Sequence, residues 1–188
     1  SGSESDALAI EGLVNKYSEV GLPNIPHIVT TNIEHSAVIE TCKMLERIGR
    51  AEVTYVPVEA NGIVDPKNIK EAIKENTILV SVIYANNEIG TIQPIAEIAK
   101  IAKEHNIIFH CDAAQATGKV KINVVELGVD ILGFSAHKMY GPKGIGALYV
   151  RRRSPQVRLS ALVHGGGHER GMRSGTLNVP LIAAFGEC

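Results

Sequence analysis

Short apolar segments alternate along the chain with longer segments in which apolar residues recur every three to four positions. The short segments are rich in β-branched residues, and segment 77–84 is continuously apolar, which is typical of a strand buried on both faces. The pattern predicts strands at 27–31, 52–58, 77–84, 107–110, 131–135 and 146–150. Because helical segments separate these strands, we predict an α/β fold with a mostly parallel sheet flanked by helices.

The longer segments have the periodicity of amphipathic helices. Segment 94–104 carries an apolar stripe of this kind. Asp65 is a predicted N-cap and Pro66 the first residue of its helix, because a carboxylate accepts hydrogen bonds from the first turn and proline suits the first position. The pattern predicts helices at 36–48, 66–74 and 94–104, with a further helical stretch after residues 3–6.

The net charge, the apolar stretches and the cysteine spacing limit which binding partners and cellular compartments we expect. The 188 residues carry a net charge of −1 and a sequence pI of about 6.6, so we expect no attraction to nucleic acid or to an anionic membrane surface. No apolar stretch has the length of a membrane span. Cys42, Cys111 and Cys188 show neither metal-ligand spacing nor a disulfide framework. We therefore expect an intracellular protein in a reducing compartment.

Polar residues cluster directly after three of the predicted strands. Residues 86–88 follow one strand, Asp112 and Gln115 follow the next, and His137 and Lys138 follow a third. In parallel sheets, ligands bind beyond the carboxyl ends of the strands. The sequence therefore predicts a ligand site at this edge of the sheet.

Lys138 is the candidate nucleophile. It stands at a strand end in the segment Ser-Ala-His-Lys, before a turn rich in glycine and proline. A buried sheet behind the lysine would desolvate its amine, and desolvation makes an amine nucleophilic enough to form a Schiff base with an aldehyde cofactor. The alternative interpretation is a surface lysine at a turn.

Asp112 is the candidate partner of a cationic cofactor. An aspartate at the end of a buried strand is costly unless a partner compensates its charge. A protonated pyridine nitrogen is such a partner, and it keeps the ring able to accept electrons. The alternative interpretation is an N-cap for a helical turn over 113–116.

Several further residues have both a functional and a structural interpretation. Ser3 could hold an anion at a helix N-terminus or simply cap that helix. Ser135 and His137 lie beside Lys138 and could assist in binding a phosphate. His35 could stack on a flat ring and move protons, or it could merely lie near a helix start. The segment around Asn87 is also explained by turn chemistry.

The motifs of other site classes are missing. Neither a P-loop nor a G-x-G-x-x-G fingerprint occurs, so nucleotide binding has little support. His164 and His168 flank a triple glycine, but no third ligand accompanies them. We therefore predict that the chain has no metal site.

Taken together, the polar segments resemble the group I cysteine desulfurases of the NifS/IscS type. Each segment alone is ambiguous, but their order and spacing match along essentially the whole chain. The matching stretches are 3–6, 34–35, 86–90, 110–115, 135–146 and 164–176.

The resemblance implies roles around the ring of pyridoxal 5′-phosphate (PLP). Lys138 is expected to form the Schiff base with the cofactor, and Asp112 to pair with its pyridine nitrogen. Gln115 is expected to contact the ring hydroxyl. His35 is expected to stack over the ring and assist proton transfer, with Asn87 on the substrate side of the cofactor.

The resemblance also implies a phosphate site built from two subunits. Ser3, Ser135 and His137 are expected to hold the phosphate, and Thr176 to reach the phosphate in the other subunit of a homodimer. The first loop is one residue shorter than the family pattern, with Ser3 where the family has threonine.

The implied architecture is the aspartate-aminotransferase type, fold type I. Residues 1–188 are expected to form its large PLP-binding domain, truncated at both ends. The smaller C-terminal domain and the loop with the catalytic cysteine are expected to lie outside the chain. None of the three cysteines matches that loop, so the chain alone is expected to be inactive.

The implied function is the conversion of L-cysteine to L-alanine, with the sulfur left on the enzyme as a persulfide. The sulfur is expected to pass to a scaffold or carrier protein, as in iron-sulfur cluster assembly. The expected location is the bacterial cytoplasm or the mitochondrion. Two alternative interpretations are a selenocysteine lyase and a non-catalytic binding module with the PLP fold.

Overall fold

A single six-stranded sheet organises the chain, in a computed structural model that describes residues 1–21 and 24–188. Its strands lie in the order β2-β1-β3-β4-β5-β6. Their bounds are β1 (His27–Thr31), β2 (Glu52–Val56), β3 (Thr77–Ile83), β4 (Ile108–Asp112), β5 (Ile131–Ser135) and β6 (Gly146–Val150).

The helices connect these strands and extend to both ends of the described chain. Two short 3₁₀ helices, Ala136–Met139 and Glu169–Gly171, supplement them. The α-helices are α1 (Gly2–Glu19), α2 (Ser36–Arg47), α3 (Pro66–Glu71), α4 (Ile95–Glu104), α5 (Val124–Leu127) and α6 (Val179–Gly186). None of the helices in the described ranges is both long and apolar enough to cross a membrane.

The prediction of a mostly parallel α/β sheet is confirmed. Strands β1 to β5 pair in parallel, whereas β6 runs antiparallel to β5 and places Val150 opposite Ile131. Every residue of β3 is buried, as its continuous apolar run predicts, because β3 lies in the interior of the sheet. Parallel strands require both faces to be covered, and the helices provide that cover.

Helices α1 and α2 cover one face of the sheet, and helix α4 covers the other. Ile10 of α1 and Leu45 of α2 pack with Leu79 in one buried cluster. Ile98 of α4 packs with Phe109 in the other cluster. Because side chains alternate along a strand, strands β1 to β4 contribute to both clusters, whereas Ile131 of β5 packs with Ala9 of α1 in a third cluster. The domain therefore has three layers.

The predicted element ends need small corrections. Asp65 is the N-cap of α3, since its carboxylate accepts a hydrogen bond from Lys67 N at 2.9 Å, as predicted. Helix α3 nevertheless ends at Glu71, three residues before the predicted end. Strand β2 ends at Val56 rather than at residue 58. The end of β2 follows from its pairing with β1, which the sequence pattern does not contain.

Candidate cofactor site

Four loops bring polar side chains to the carboxyl edge of the sheet. They follow β1, β3, β4 and β5, four neighbouring strands that run in the same direction. The predicted clustering at this edge follows from the topology. The side chains concerned include Glu34 and His35, Asn86, Asp112 and Ser135, of which all but His35 are buried.

Asp112 is the last residue of β4, and only 2% of it is exposed. Its Oδ1 accepts a hydrogen bond from Ala114 N at 2.9 Å, so the capping interpretation is correct. Burial, and next the nearby carboxylate of Asp6, raise the pKa of Asp112 to about 6. The carboxylate therefore caps a turn and still offers a poorly compensated negative charge at neutral pH.

Asp6, His35 and Asp112 converge on one point. One carboxylate oxygen or ring nitrogen from each residue lies within 4.8 Å of the others. Asp6 comes from α1, so the helix that covers this face of the sheet also contributes to the site. Two carboxylates beside an imidazole stabilise a cationic group, such as a protonated ring nitrogen.

His35 is the N-cap of α2. Its Nδ1 accepts a hydrogen bond from Ala37 N at 3.1 Å, so the neutral ring carries its hydrogen on Nε2. The structural interpretation of His35, a histidine at a helix start, is thereby confirmed. The cap also occupies Nδ1, so Nε2 is the ring nitrogen that remains available to a ligand.

Glu34 is a buried carboxylic acid beside the site. Its Oε1 accepts hydrogen bonds from Thr31 Oγ1 at 2.5 Å and from Ile83 N at 3.0 Å. Its Oε2 has no hydrogen-bond partner among the described residues. Burial is the main reason that the pKa of Glu34 rises to about 8, so the group is neutral at pH 7.

Sequence reasoning assigned no role to Glu34, Asp6 or His110. Glu34 and His110 lie in the stretches 34–35 and 110–115, where the resemblance implies roles for His35 and Asp112. Asp6 lies in the stretch 3–6, where it implies a role for Ser3. One available signal was that His110 precedes Asp112 by two positions and so shares its face of the strand. For Asp6, the signal was a carboxylate four and seven positions before Ile10 and Leu13, and so on the apolar face of its helical segment.

The N-terminus of α1 lies against the end of β5. A Cβ atom added to Gly2 would stand 3.3 Å from Ser135 Cβ, and one added to Gly146 would stand 2.7 Å from the carbonyl carbon of Ser1. Larger residues would therefore push the helix away from the sheet. Ser135 Oγ is 2.6 Å from His137 Nδ1. Because Gly2 packs against Ser135, this pair lies beside the N-terminus of α1. Such an arrangement suits an anion.

Ser3 has a different place from the predicted one. The helix begins at Gly2, and the N-cap is Ser1, whose Oγ accepts a hydrogen bond from Glu4 N at 3.3 Å. The expectation that residues 3–6 precede the helix, with Ser3 as a possible cap, is therefore wrong. Ser3 lies in the first turn with its side chain exposed.

Lys138 lies in the 3₁₀ helix Ala136–Met139, which directly follows β5. Its side chain is exposed, so the expected desolvation of the amine is wrong for this structure. The 3₁₀ helix continues past the end of the sheet, where the described residues leave the side chain uncovered. The amine is accessible to an aldehyde at the carboxyl edge.

Asn86, rather than Asn87, holds the loop after β3. Asn86 Oδ1 accepts hydrogen bonds from Glu88 N and Ile89 N, and its Nδ2 donates to Ile33 O at 2.7 Å. The turn interpretation of this segment is confirmed, and Asn87 is left exposed. Gln115 is half-buried, and its Oε1 accepts a hydrogen bond from Lys119 Nζ.

Thr176 is exposed in the irregular segment before α6. It lines a cavity of about 590 Å³ together with Glu4, residues of β6 and residues of α6. This cavity contains no buried ionisable side chain, whereas the Asp112 cluster contains several. Groups with perturbed pKa values cluster at functional sites, so the Asp112 cluster is the candidate for the chemistry.

Two of the three cysteines are enclosed by the core. Cys42 is buried in α2, as its predicted packing role requires, and burial raises the pKa of its thiol to about 12. Burial also raises the pKa of Cys111 well above its ordinary range. Cys188 is exposed at the end of the chain. Neither buried thiol is placed to act as a nucleophile.

The chemistry of this edge suits PLP. The buried Asp112 carboxylate matches a cationic pyridine nitrogen, and the exposed Lys138 amine matches an aldehyde. The N-terminus of the 18-residue helix α1, with Ser135 and His137 beside it, matches a phosphate.

Comparison with known proteins gives a consistent result. The family profile described as aminotransferase class-V matches residues 1–188. The cysteine desulfurase IscS of Mannheimia succiniciproducens is 55% identical over 185 residues, which cover 98% of this chain and 44% of the relative. The enzyme of the same name from Escherichia coli O139:H28 is 53% identical with the same coverage. The chain thus spans about half the length of the curated relatives it matches.

Solved structures show the same similarity. A structure of SspA in complex with cysteine has 47% sequence identity and a TM-score of 0.91, and the match covers 99% of this chain and 52% of SspA. A NifS-like protein has 40% identity and a TM-score of 0.90, with 99% and 49% coverage.

Proposed function

Because the chain belongs to the aminotransferase class-V family, we propose that it forms the cofactor-binding part of a PLP-dependent cysteine desulfurase. One observation carries the proposal. The buried Asp112, with Asp6 and His35 within 4.8 Å, provides a site for a cationic ring in a chain 52–55% identical to enzymes named cysteine desulfurase. The aminotransferase class-V family and the cysteine desulfurases both depend on PLP in general.

The cofactor would be held at three points of the edge. Asp112 would pair with the ring nitrogen, and Lys138 would attach to the aldehyde. Ser3, Ser135 and His137 would hold the phosphate at the N-terminus of α1. When bound, PLP supplies an electron sink for the carbanion at the substrate's α-carbon.

The remaining side chains would orient the substrate and move protons. His35 has Nδ1 occupied by Ala37 N, so its Nε2 would exchange the proton at the reacting carbon. Glu34 is neutral at pH 7 and adds no competing charge beside Asp112. Gln115 and Asn87 would border the ring. Gln115 would have to release Lys119 to contact the ring hydroxyl.

The substrate would be L-cysteine, which the solved SspA structure contains as a ligand. The carbon–sulfur bond breaks, alanine leaves, and the sulfur stays on a cysteine thiolate as a persulfide. Cys42 and Cys111 are buried and have raised thiol pKa values. Cys188 is exposed but does not match the family's catalytic-cysteine loop, so we place the acceptor cysteine outside residues 1–188. A scaffold or carrier protein, as in iron-sulfur cluster assembly, would then receive the sulfur.

We further propose a homodimer, fold type I domain organisation and an intracellular location. Residues 1–188 would form the large domain, with a smaller domain in the rest of the protein; the 44% coverage of the relatives supports this division. Thr176 is exposed and available to a second subunit's phosphate site. The thiols of Cys42 and Cys111 are free, which supports a reducing compartment such as the bacterial cytoplasm or the mitochondrion.

The test is the assay of alanine and sulfide from L-cysteine by the native protein with PLP and a thiol reductant. Lys138→Ala should reduce both products to background. Lys143→Ala is the matched control, because Lys143 is an exposed lysine five residues away. Normal turnover by the Lys138 variant would contradict the proposed attachment site. A kcat/KM far higher for selenocysteine would indicate a lyase, and failure to bind PLP would indicate a non-catalytic module.

A further inference from the structure

A line of buried polar side chains runs under Asp112. His110 lies two positions before Asp112 on β4, so both side chains point to the face covered by α1. His110 Nδ1 is 2.9 Å from Ser81 Oγ on β3, and His110 Nε2 is 3.6 Å from Asp6 Oδ1. All of these side chains are buried.

The two atoms that face each other in this line, Asp6 Oδ1 and His110 Nε2, have no hydrogen-bond partner among the described residues. Buried polar groups of this kind destabilise a fold, so a role in the site explains their presence better than packing does. Gly133 keeps the space open for them, because a Cβ atom there would stand 2.6 Å from Asp6 Oδ1.

We propose that Asp6 and His110 are positioning residues that together set the charge of Asp112, and through it the strength with which the site holds a cationic ring nitrogen. The proposal rests on the proposed function, since it concerns the same cofactor site. Neither residue needs to touch the cofactor, because each acts on the carboxylate that does.

The electrostatics give the two residues opposite effects. The ionisable groups that face Asp112 are Asp6 from α1, Glu34 and His35 from the loop after β1, and His110 from β4 itself. Burial and then Asp6 raise the pKa of Asp112, whereas His110 and His35 lower it, and the result is about 6. Asp112 is therefore largely ionised at pH 7 and loses its charge as the pH falls through 6.

The first measurement uses the native protein freed of cofactor and labelled with ¹³C at the aspartate carboxyl carbons. The NMR titration of Asp112, assigned with Asp112→Asn, should move to lower pH in Asp6→Asn, where a negative neighbour is removed. It should move to higher pH in His110→Gln. Each shift should be about one pH unit, as expected for groups at this range. Asp6→Ser and His110→Asn replace either variant that fails to fold.

The second measurement is the dissociation constant of PLP between pH 5 and 8. Binding weakens in acid as Asp112 gains a proton, and the pH of this weakening should shift in the same opposite directions. His27→Gln is the matched control: His27 is also fully buried, but it lies at the start of β1, and its ring nitrogens form hydrogen bonds with Thr54 and Thr77. It should lower stability and leave both titrations unchanged.

Opposite shifts with an unaffected control support the proposal, because a loss of packing would move both variants in one direction. Shifts of the same sign, or no shift in either variant, overturn it. If the wild-type protein binds no PLP, the proposed function fails, and opposite shifts in the NMR titration still support the action of Asp6 and His110 on Asp112. An NMR titration without opposite shifts overturns that action whether or not PLP binds.

Discussion

Arg173 Nε donates a hydrogen bond to Glu4 Oε1 at 2.7 Å and so links two segments that are 169 positions apart in sequence. Glu4 lies in the first turn of α1, next to Ser3. Arg173 belongs to the irregular segment 164–176, which ends at Thr176. This hydrogen bond is the main reason that the pKa of Glu4 is lowered. The ion pair therefore fixes the irregular segment against the predicted phosphate end of the site.

We predict that loss of this ion pair loosens segment 164–176 more than it destabilises the fold. Both side chains are about 40% exposed, so Glu4→Gln and Arg173→Gln should each cost at most about 1 kcal/mol of unfolding free energy. Hydrogen exchange within 164–176 should accelerate in either variant and no further in the double variant. Lys43→Gln, which breaks an exposed pair within α2, is the control. Unchanged exchange in the segment would show that the pair does not hold it.

Glu34→Gln should abolish part of the pH dependence of stability. The folded protein keeps the Glu34 proton up to a pKa of about 8, whereas the unfolded chain loses it near 4.5. The contribution of Glu34 to the stability of the cofactor-free wild type therefore falls by about 1.4 kcal/mol per pH unit as the pH rises from 4.5 to 8. Glutamine keeps a side-chain oxygen that accepts the hydrogen bonds from Thr31 and Ile83. It does not titrate, so it causes no loss of stability as the pH rises.

Urea unfolding at several pH values measures this effect. The two proteins should be similar at pH 4.5, and the variant should become progressively more stable toward pH 8. A variant that is less stable than the wild type at pH 8 would mean that Glu34 is ionised in the fold.

The sequence predicted the sheet and the residues at its edge because apolar periodicity and strand-end polarity are local signals. Ser135 and Lys138 lie where the predicted strand boundaries placed them, whereas β4 extends two residues past the predicted end at position 110 and includes Asp112. The direction of β6 was not predictable, since it depends on pairing with β5. The contribution of Asp6 was missed for a similar reason: only the packing of α1 on the sheet brings it within reach of Asp112.

The exposure of Lys138 was also not predictable from local sequence signals. Its position after a buried strand suggested desolvation, but burial depends on what covers the end of the sheet. No sequence signal near Lys138 describes that cover. The same is true of Ser3, whose helix starts one residue before it and is capped by Ser1.

The three cysteines should differ sharply in reactivity. At pH 8 an aromatic disulfide reagent should modify Cys188 within minutes, since this residue is exposed. Cys42 and Cys111 should react only on unfolding, because burial excludes the reagent and raises both thiol pKa values. Mass mapping after a timed reaction identifies the sites, with a urea-treated sample as the control for full modification. Rapid labelling of Cys111 in the folded protein would contradict the placement of β4 in the core.

Lys138 should carry the cofactor. Borohydride reduction of the PLP-loaded native protein, followed by peptide mapping, should place a phosphopyridoxyl group on Lys138. Lys143 and Lys119 are nearby exposed lysines that control for non-specific labelling. A label confined to either of them would refute the assignment of Lys138.

The charge of Asp112 should destabilise the cofactor-free fold and strengthen PLP binding. Two substitutions separate the effect of this charge from the effect of the hydrogen bond to Ala114. Asp112→Asn keeps an oxygen that accepts from Ala114 N but removes the charge. Burial holds the carboxyl pKa at about 6 against an ordinary 3.8, so ionisation at pH 7 costs the cofactor-free fold up to about 3 kcal/mol. The asparagine variant should therefore be more stable than the wild type without cofactor, and Asp112→Ala, which also loses the cap, less stable than the asparagine variant. Both should bind PLP weakly, because neither compensates a cationic ring nitrogen.

Asp65→Asn, at the N-cap of α3, is the control and should change neither the stability nor the PLP affinity appreciably. Thermal unfolding of cofactor-free protein and PLP titration measure the two effects, and wild-type affinity in Asp112→Asn would show that the charge of Asp112 does not hold the cofactor.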